Sequence, residues 1–239
     1  PGMTKVTYGT GSSIMRNIGA LPYTSRQGLV TSIGWQMDGA PTYVAEGNIN
    51  CSGAAIKWMV DDLELIPDSK CTEALASSVS DNEGVYLVPA FVGLGAPYWD
   101  SDARAALVGM TRGTKKAHVV RAVLESMAYQ VRDILDLMQA ESGTPTGEIR
   151  VDGGPTRNRF LMQFQSDLSH IPVVVNDLEE LSAIGAAYMG GLAVNVWDGT
   201  DTLRSLRTRD TRFLPQMEET VREHYYSGWK AAVAKVLTK

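Results

Sequence analysis

The spacing of hydrophobic and polar positions changes character along this chain. In the first fifty residues, apolar positions alternate with polar ones in short runs separated by polar turns, a pattern typical of antiparallel strands. The first run, 6–17, bends at a Gly-Thr-Gly turn at 9–11 and predicts a hairpin. Further strands are predicted at 29–34 and, after a turn at 38–41, at 43–49. This part of the sequence therefore predicts an antiparallel meander.

Beyond residue 50 the apolar positions recur with helical spacing. The segment 52–65 predicts a helix that ends before Pro67, because proline cannot continue it. A much longer helix is predicted at 114–142, with Thr114 as its N-cap and Gly143 as its C-terminal stop. Its apolar stripe consists of Val120, Leu124, Met127, Val131, Ile134 or Leu135, and Met138. We expect this stripe to pack in a hydrophobic core.

The rest of the chain alternates predicted strands with predicted helices. A polar stretch at 68–84 holds at most a short helix, and a glycine-rich loop occupies 92–102. Further strands are predicted at 85–91, 106–110, 149–151 and 173–175, and further helices at 159–169, 182–196 and 215–237. We expect the small residues of one helix to permit close packing on the sheet: Gly185, Ala186, Ala187, Gly190 and Gly191. The whole pattern predicts an α/β fold, a mixed sheet flanked by helices.

Composition and charge limit the classes of function. The chain has 239 residues, 44% of them hydrophobic and 21% charged, with a net charge of −5. This mild acidity argues against a nucleic-acid-binding surface, which needs a basic face. No apolar run approaches the ~18 residues that span a bilayer, so we expect no membrane contact. The densest basic group alternates with acidic residues and indicates a solvated surface: Arg204, Arg207, Arg209 and Arg212.

Cysteine and histidine give no sign of a metal site or of a nucleophilic triad. Cys51 and Cys71 stand without a CxxC spacing, which is typical of a reducing compartment such as the cytoplasm. The histidines, His118, His170 and His224, are far apart in the sequence. We therefore assign no metal ligand within this chain.

Two glycine-rich turns carry the strongest chemical signal. One lies in the first hairpin, at 9–13, and the other, Gly153-Gly154, lies between a predicted strand and a predicted helix. Unpaired backbone N–H groups, hydroxyls and a helix N-terminus suit a phosphate. Either turn alone fits a chain that merely reverses tightly, but the two together favour a nucleotide held between them. The chain contains no Walker GxxxxGK[ST] motif and no GxGxxG motif in an opening βαβ unit, which excludes a P-loop enzyme and disfavours a dinucleotide fold.

Several motifs follow one another in a distinctive order. They are Tyr8-Gly9-Thr10-Gly11, Glu46-Gly47, Ser52-Gly53-Ala54-Ala55-Ile56, the run PAFVGLGAPYWD at 89–100, Val151-Asp152-Gly153-Gly154, and the run LMQFQSD at 161–167. This order resembles the FGGY carbohydrate kinases, and in particular their glycerol-phosphorylating branch. The resemblance covers about residues 5–197.

The resemblance implies an actin-like, ribonuclease-H-like ATPase domain. It also implies that residues 1–239 are the second, C-terminal, nucleotide-binding half of a kinase, with a core at about 4–198 and a surface connection and terminal helix at 199–239. That kinase would transfer phosphate from ATP, accompanied by Mg²⁺, to glycerol or a related polyol or sugar. The N-terminal half, the partner of this chain, would carry the catalytic base, so no catalytic residue and no Mg²⁺ ligand is expected here.

Carried over position by position, the resemblance assigns a nucleotide site. It places the phosphate-contacting threonine at Thr10 and the glycine at a helix start at Gly53. It places the glycine beside the phosphates at Gly154 and the asparagine on the adenosine side at Asn158. The complete expected set is Gly9, Thr10, Gly11, Gly53, Lys57, Gly153, Gly154 and Asn158.

Two positions depart from the glycerol-phosphorylating pattern. A glutamine is common where this chain has Lys57, whose side chain either reaches the nucleotide or points into water. An aromatic residue that packs on the glycerol carbons is common at the position of Ser13. A serine there leaves room for a larger or more polar substrate, such as a pentulose.

Several alternatives stay open at this point. The loop 93–100 either anchors itself in the core or lines the cleft between the two halves. Asp152 either braces its turn or contacts a ligand. The protein is either a kinase, of which this fragment alone would be inactive, or a nucleotide-binding module without catalysis. The chain starts almost directly in strand-like sequence, as expected of a piece of a longer protein, and homo-oligomerisation is also left open.

Overall fold

The computed structural model describes residues 1–176, 181–206 and 210–239. The described strands are β1 (Thr4–Tyr8), β2 (Ser12–Gly19), β3 (Val30–Met37), β4 (Ala40–Ile49), β5 (Tyr86–Val88), β6 (Ala106–Val108), β7 (Ile149–Asp152), β8 (Val173–Asn176) and β9 (Asp210–Phe213). The described α-helices are α1 (Gly53–Asp61), α2 (Cys71–Ser77), α3 (Lys116–Ser142), α4 (Arg159–Ser169), α5 (Leu181–Ala193), α6 (Thr200–Ser205) and α7 (Glu219–Ala234). A 3₁₀ turn, Gly154–Arg157, lies between β7 and α4.

Seven of the described strands form one mixed sheet, in the order β3-β4-β2-β1-β7-β8-β9. Strands β1 to β4 pair antiparallel, as the alternating pattern predicted, whereas β1, β7 and β8 run parallel. In the central register Val6 lies between Ile14 of β2 and Val151 of β7. Strands β5 and β6 form a separate two-stranded ribbon. The predicted α/β architecture, a mixed sheet flanked by helices, is confirmed.

The hydrophobic core lies on one face of the sheet, under α3 and α4. Val6, Ile14 and Val151 of the central strands are fully buried in one cluster with Leu124 and Met127 of α3. Burial of each such side chain stabilises the fold by roughly 1.5–3 kcal/mol. The predicted packing of the long helix is therefore confirmed.

The last part of the chain also enters the core. Trp229 of α7 is fully buried and stacks on Tyr129 of α3 with a centroid distance of 5.2 Å. Phe213 of β9 is buried as well. The core thus extends beyond the expected limit at residue 198, because β9 adds a strand to the sheet and α7 closes over α3.

Two of the four clustered arginines can be placed. Arg204 and Arg212 are exposed, in agreement with a solvated segment, whereas Arg207 and Arg209 lie outside the described residues. Cys51 and Cys71 are free thiols, and the cytoplasmic location inferred from them stays a prediction. Within the described ranges, every helix is too short or too polar to cross a membrane.

Several boundaries differ from the sequence prediction; α7, for example, spans Glu219–Ala234 and not 215–237. α3 has Lys115, and not Thr114, at its N-cap. The Thr114 hydroxyl instead accepts a hydrogen bond from the Thr111 N–H (2.8 Å) in the preceding turn, which ties it outside the helix. α1 ends at Asp61, before the predicted end at residue 65, and β4 begins inside the turn predicted at 38–41.

The largest departure from the prediction is α5. Helix α5 ends at Ala193 instead of residue 196, and none of its described residues is buried. Leu181, Ile184 and Tyr188 face the sheet around a cavity of about 310 Å³. These larger side chains separate the helix from the strands, so the small residues cannot approach the sheet. The expectation of close packing there is wrong for Gly185, Ala186, Ala187, Gly190 and Gly191.

Candidate nucleotide site

A cavity of about 1110 Å³ opens between the first hairpin turn, α1, α2 and the start of α4. Gly11 and Gly153 of the expected set are not among the residues that line it. The other six expected residues line it: Gly9, Thr10, Gly53, Lys57, Gly154 and Asn158. The two glycine-rich turns therefore face one common space, as the two-turn hypothesis requires.

The start of α1 packs against the first turn through backbone hydrogen bonds. The Gly9 carbonyl accepts a hydrogen bond from the N–H of Gly53 (2.9 Å), and the Thr10 carbonyl accepts those of Ser52 (2.9 Å) and Ala54 (3.0 Å). These contacts satisfy the first N–H groups of the helix, which are consequently closed to a ligand. Thr10 is exposed at the cavity, and its hydroxyl forms no hydrogen bond within the part of the chain that the structure describes.

Gly53 and Gly153 are required by the packing of one backbone segment on another. A Cβ atom on Gly53 would lie 2.5 Å from the Gly9 carbonyl oxygen. Gly153 has a φ of +97°, and a Cβ atom there would collide with the carbonyl oxygen of Tyr8 in β1. Their small size therefore brings the turns together and needs no ligand to explain it.

Gly154 differs from its neighbour. A Cβ atom on Gly154 would have no neighbouring atom within 4 Å, and the residue is exposed on the cavity wall. The described structure thus contains no packing contact that calls for a glycine at this position. A side chain added there would occupy space that is open to a ligand.

The start of α4 is satisfied internally. Asn158 is the N-cap: its Oδ1 accepts a hydrogen bond from the Leu161 N–H (2.9 Å), and its Nδ2 donates to Thr72 Oγ1 (3.1 Å). Glu73 of α2 accepts a hydrogen bond from the Arg159 N–H (2.8 Å). Two of the N–H groups that were expected to face a phosphate, those of Arg159 and Leu161, are therefore already paired with neighbouring side chains.

Acidic residues collect at one end of the cavity. Asp61 and Asp62, at the C-terminal end of α1, line it together with Asp68 and Glu73. Lys57 lies nearby, with 79% of its side chain exposed and its Nζ 3.9 Å from the Asp61 carboxylate. Thr10 and Gly53 lie at the other end of α1. Among the described lining residues, the carboxylates therefore collect toward α2, and none belongs to the turn that carries Thr10.

Asp152 stands behind the second turn. Its side chain is buried, its Oδ2 lies 3.0 Å from Lys5 Nζ, and it is not part of the cavity lining. This ion pair joins β7 to β1 directly before the Gly153-Gly154 turn. The arrangement supports the interpretation that Asp152 braces the turn.

The loop at 93–100 is fastened to the core. The Tyr98 hydroxyl donates to Asp133 (2.9 Å), and the Asp100 carboxylate accepts hydrogen bonds from the Thr238 N–H (2.6 Å) and hydroxyl (2.8 Å). Backbone hydrogen bonds, above all from Thr238, lower the pKa of Asp100. None of the described loop residues lines the cavity, which favours the anchoring interpretation over the cleft-lining one.

α2 supplies a cavity wall that sequence reasoning missed. Its Thr72 and Glu73 line the cavity and contact the start of α4. Trp58 of α1 also lines the cavity, and its ring packs on that of Phe91 with a centroid distance of 4.9 Å. A single threonine or glutamate in a polar stretch produces no motif. The contacts depend on segments some 86 residues apart in sequence, so no local signal could have indicated them.

Comparison with known proteins gives the same family throughout. A model of the FGGY family of carbohydrate kinases, C-terminal domain, matches residues 4–194. The glycerol kinase of Petrotoga mobilis is 50% identical over 234 residues, covering 98% of this chain and 47% of that protein. The glycerol kinase of Bacillus velezensis is 49% identical over 232 residues, covering 97% and 47%. The chain thus spans about half the length of the curated relatives it matches.

Solved structures share the fold over essentially the whole chain. The structure of Plasmodium falciparum glycerol kinase with ADP has a TM-score of 0.92 at 37% identity, covering 100% of this chain and 48% of that one. A ligand-bound xylulose kinase from Lactobacillus acidophilus has a TM-score of 0.82 at 19% identity, covering 98% and 48%, which shows a common fold alone. The predicted actin-like ATPase fold is confirmed.

Proposed function

The chain belongs to the FGGY family of carbohydrate kinases, as their C-terminal domain, and from this premise we propose that its cavity binds the nucleotide of an ATP-dependent kinase. The N-terminal half of that kinase precedes this chain, and the intact protein phosphorylates a hydroxyl of glycerol or a related polyol. One observation carries the proposal. Thr10, whose hydroxyl has no protein partner in the described structure, and Gly154, which has no packing neighbour, face the same cavity.

The charges of the cavity orient the nucleotide in this proposal. Phosphates are disfavoured beside the carboxylates of Asp61, Asp62 and Asp68, because like charges repel strongly when partly shielded from water. We therefore place the phosphates beside Thr10 and Gly154 and the nucleoside toward α2. Trp58 and Pro67 supply apolar surface at that end.

Phosphoryl transfer depends mainly on positioning and on stabilisation of negative charge. Bound ATP supplies the phosphoryl group. In this chain the Thr10 hydroxyl donates to a phosphate oxygen, and the hydrogen bonds between its turn and α1 hold it in place. Gly154 leaves room for the phosphates, and the preceding half takes the proton from the acceptor alcohol.

The described residues do not fit a resident metal site. Across the described ranges, no group of three His, Cys, Asp or Glu side chains could hold a metal ion. In our proposal Mg²⁺ therefore arrives with ATP, and its protein contacts belong to the other half.

One observation favours a second substrate. Ser13 Oγ donates a hydrogen bond to Glu46 Oε1 (2.7 Å), so a short polar pair stands where the glycerol-phosphorylating pattern has an aromatic residue. The similarity to glycerol kinases favours glycerol, whereas the polar pair suits a larger polyol or a pentulose. A Ser13→Phe variant of the full-length protein separates the two, because it should raise the preference for glycerol over the larger substrate.

A phosphorylation assay on the full-length protein, with MgATP and a panel of polyols and ketoses, tests the proposal. We expect transfer to glycerol or to a close relative, and no transfer by the 239-residue chain alone. A full-length protein that transfers phosphate to none of these alcohols, or a fragment that does so unaided, would contradict it. Nucleotide binding without any transfer would favour the non-catalytic module instead.

A further inference from the structure

α3 carries a buried ion pair on the side that faces α2 and α4. The Arg121 Nε donates a hydrogen bond to Glu125 Oε1 (2.7 Å), and both side chains are buried, that of Glu125 completely. Removing two charges from water costs more free energy than burying apolar side chains of similar size. The folded chain recovers this cost only through the hydrogen bonds of the two groups, so their other partners show what the pair holds in place.

Arg121 joins three other elements. Its Nη1 donates to the Val79 carbonyl (2.8 Å) in the connection that follows α2, residues 78–82. Its guanidinium carbon lies 5.1 Å from the centre of the Phe160 ring in α4, and its Nη2 donates to the Tyr225 hydroxyl of α7 (3.3 Å). One side chain therefore holds the end of α2 beside the start of α4.

Glu125 fastens the same connection at a second point. Its Oε2 accepts hydrogen bonds from Asn82 Nδ2 (2.9 Å) and from the Tyr129 hydroxyl (3.2 Å). Asn82 is buried, and its Oδ1 accepts a hydrogen bond from the Gly84 N–H (3.0 Å), which fixes the turn around it. The position of α2 on α3 thus depends on both members of the ion pair.

α2 in turn forms a wall of the nucleotide cavity. Thr72 and Glu73 line this cavity, and their hydrogen bonds to the Asn158 side chain and the Arg159 N–H join α2 to the start of α4. The ion pair does not line the cavity and lies behind this junction. Two side chains outside the cavity lining consequently fix two of its walls relative to each other.

We propose that Arg121 and Glu125 are positioning residues for nucleotide binding, which act through α2 and make no contact with the nucleotide. The proposal rests on the proposed function, in which the nucleoside lies toward α2. When the pair is broken, α2 loses the fixed point behind Thr72 and Glu73. The nucleotide must then order this wall as it binds, which costs binding free energy.

The ion pair also depends on pH. Burial raises the pKa of the Glu125 carboxyl to about 7, although the charge of Arg121 lowers it in part. Glu125 therefore gains a proton as the pH falls through about 7, and Arg121 then lacks its counter-charge. Three tyrosines stand around the carboxyl, and burial raises the pKa of each of them: Tyr86, Tyr129 and Tyr225.

Other charged groups lie on the side of Arg121. Asp81 of the connection interacts with the guanidinium, and a hydrogen bond from the Glu83 N–H lowers the pKa of this aspartate. His118, one turn before Arg121 on α3, has its Nδ1 3.6 Å from Glu83 Oε2. Because histidine side chains also titrate near neutral pH, the effect of Glu125 has to be measured against a variant that lacks this one carboxyl.

Three variants of the full-length protein test the proposal. Glu125→Gln removes the charge at nearly constant shape, and Arg121→Lys keeps a charge beside Glu125 but cannot reach the other partners of the guanidinium. Asp133→Asn is the matched control. Asp133 is also a buried carboxylate of α3, but it accepts hydrogen bonds from the loop at 93–100 and from α7, and no described residue of either lines the cavity. The readouts are ADP affinity by titration calorimetry at a series of pH values and the amide exchange rate of α2.

At pH 8 we expect Glu125→Gln and Arg121→Lys each to weaken ADP binding about five- to tenfold and to speed exchange in α2 about tenfold. Asp133→Asn should stay within about twofold of the unmodified protein in both readouts. At pH 6 the difference in ADP affinity between the unmodified protein and Glu125→Gln should fall below about twofold, because Glu125 is then protonated in the unmodified protein too. The titration of ADP and of His118 is common to both proteins and cancels in this ratio.

Equal ADP affinities of Glu125→Gln and the unmodified protein at pH 8 would overturn the proposal. An equal loss in Asp133→Asn would do the same, since lower stability alone would then explain both variants. The unmodified protein supplies a test that needs no variant to fold: protection of α2, corrected for the intrinsic pH dependence of exchange, should fall from pH 8 to pH 6, and constant protection contradicts the proposal. An unmodified protein that does not bind ADP defeats the proposed function, whereas exchange in α2 still measures whether the pair fixes this helix.

Discussion

The residues at and directly behind the cavity wall form two layers, which differ in what their atoms contact. The inner layer consists of Gly53, Gly153 and Asp152. The two glycines lie against backbone carbonyl groups with no room for a Cβ atom, and Asp152 is paired with Lys5. The outer layer, Thr10, Lys57 and Gly154, is exposed and has few contacts or none. Adjacent glycines of one motif thus fall in different layers. A glycine-rich motif can therefore indicate a nucleotide site correctly while half of its glycines serve only to bring strands and helices together.

The sharpest test of this contrast compares the two adjacent glycines. Gly153→Ala should lower the free energy of unfolding by at least about 3 kcal/mol, because the new Cβ meets the Tyr8 carbonyl at a positive φ. Gly154→Ala should change it by less than about 0.5 kcal/mol. Urea unfolding measures both. Equal losses in the two variants would remove the distinction between the layers.

The second largest effect concerns the buried carboxylate that anchors the loop at 93–100 and α7, outside the cavity lining. Asp133 of α3 accepts hydrogen bonds from Tyr98 (2.9 Å), Tyr226 (2.7 Å) and Trp229 (2.9 Å), and burial raises its pKa to about 6. The folded state therefore binds the proton more tightly than the unfolded state. The stability that this adds is complete below about pH 4 and is lost as the pH rises through about 6.

Asp133→Asn removes this titration. We expect the unmodified protein to gain on the order of 3 kcal/mol relative to the variant as the pH falls from 7 to 4. Urea unfolding of both proteins at a series of pH values gives the difference. A difference that stays constant across this range would contradict the raised pKa.

In the outer layer, Thr10→Val removes a hydroxyl and keeps the shape of the side chain. We expect about a tenfold loss of ADP affinity, the size of one hydrogen bond to a charged group, with no change in unfolding free energy. Titration calorimetry on the full-length protein measures the affinity. Thr220→Val, at an exposed position of α7, is the matched control. If both variants bind ADP equally well, Thr10 does not contact the nucleotide.

The smallest effect is expected at Lys57. Its side chain is largely exposed and its ion pair with Asp61 is long, so solvent screens the charge. Lys57→Gln should therefore change ADP affinity by less than about threefold. A larger loss of ADP affinity in the same titration would show that the Lys57 side chain contacts the nucleotide.

Local signals predicted the fold well where they were complete. The Gly-Thr-Gly turn, the long apolar stripe of α3 and the αL glycine at residue 143 each identified an element within a few residues of its ends. The predicted packing of α5 was wrong because the composition of a helix does not show which of its sides faces the sheet. Leu181, Ile184 and Tyr188 decide that orientation.

The site was predictable to a similar degree. The order of the motifs predicted a set of site residues, and six of them line one cavity. The layer of each residue depended on distant atoms, such as the Tyr8 carbonyl behind Gly153, and these have no local signature. The pairing of the Arg159 N–H with Glu73, which belongs to a different helix, could not be predicted for the same reason.

Amide hydrogen exchange of the full-length protein with and without ADP tests the central claim most directly. If the outer layer binds the nucleotide, ADP should slow exchange at 9–11 and at 153–158. Exchange within α7, which lies outside the cavity lining, should stay the same. Protection confined to other parts of the protein, with both turns unchanged, would contradict the assignment of this cavity to the nucleotide.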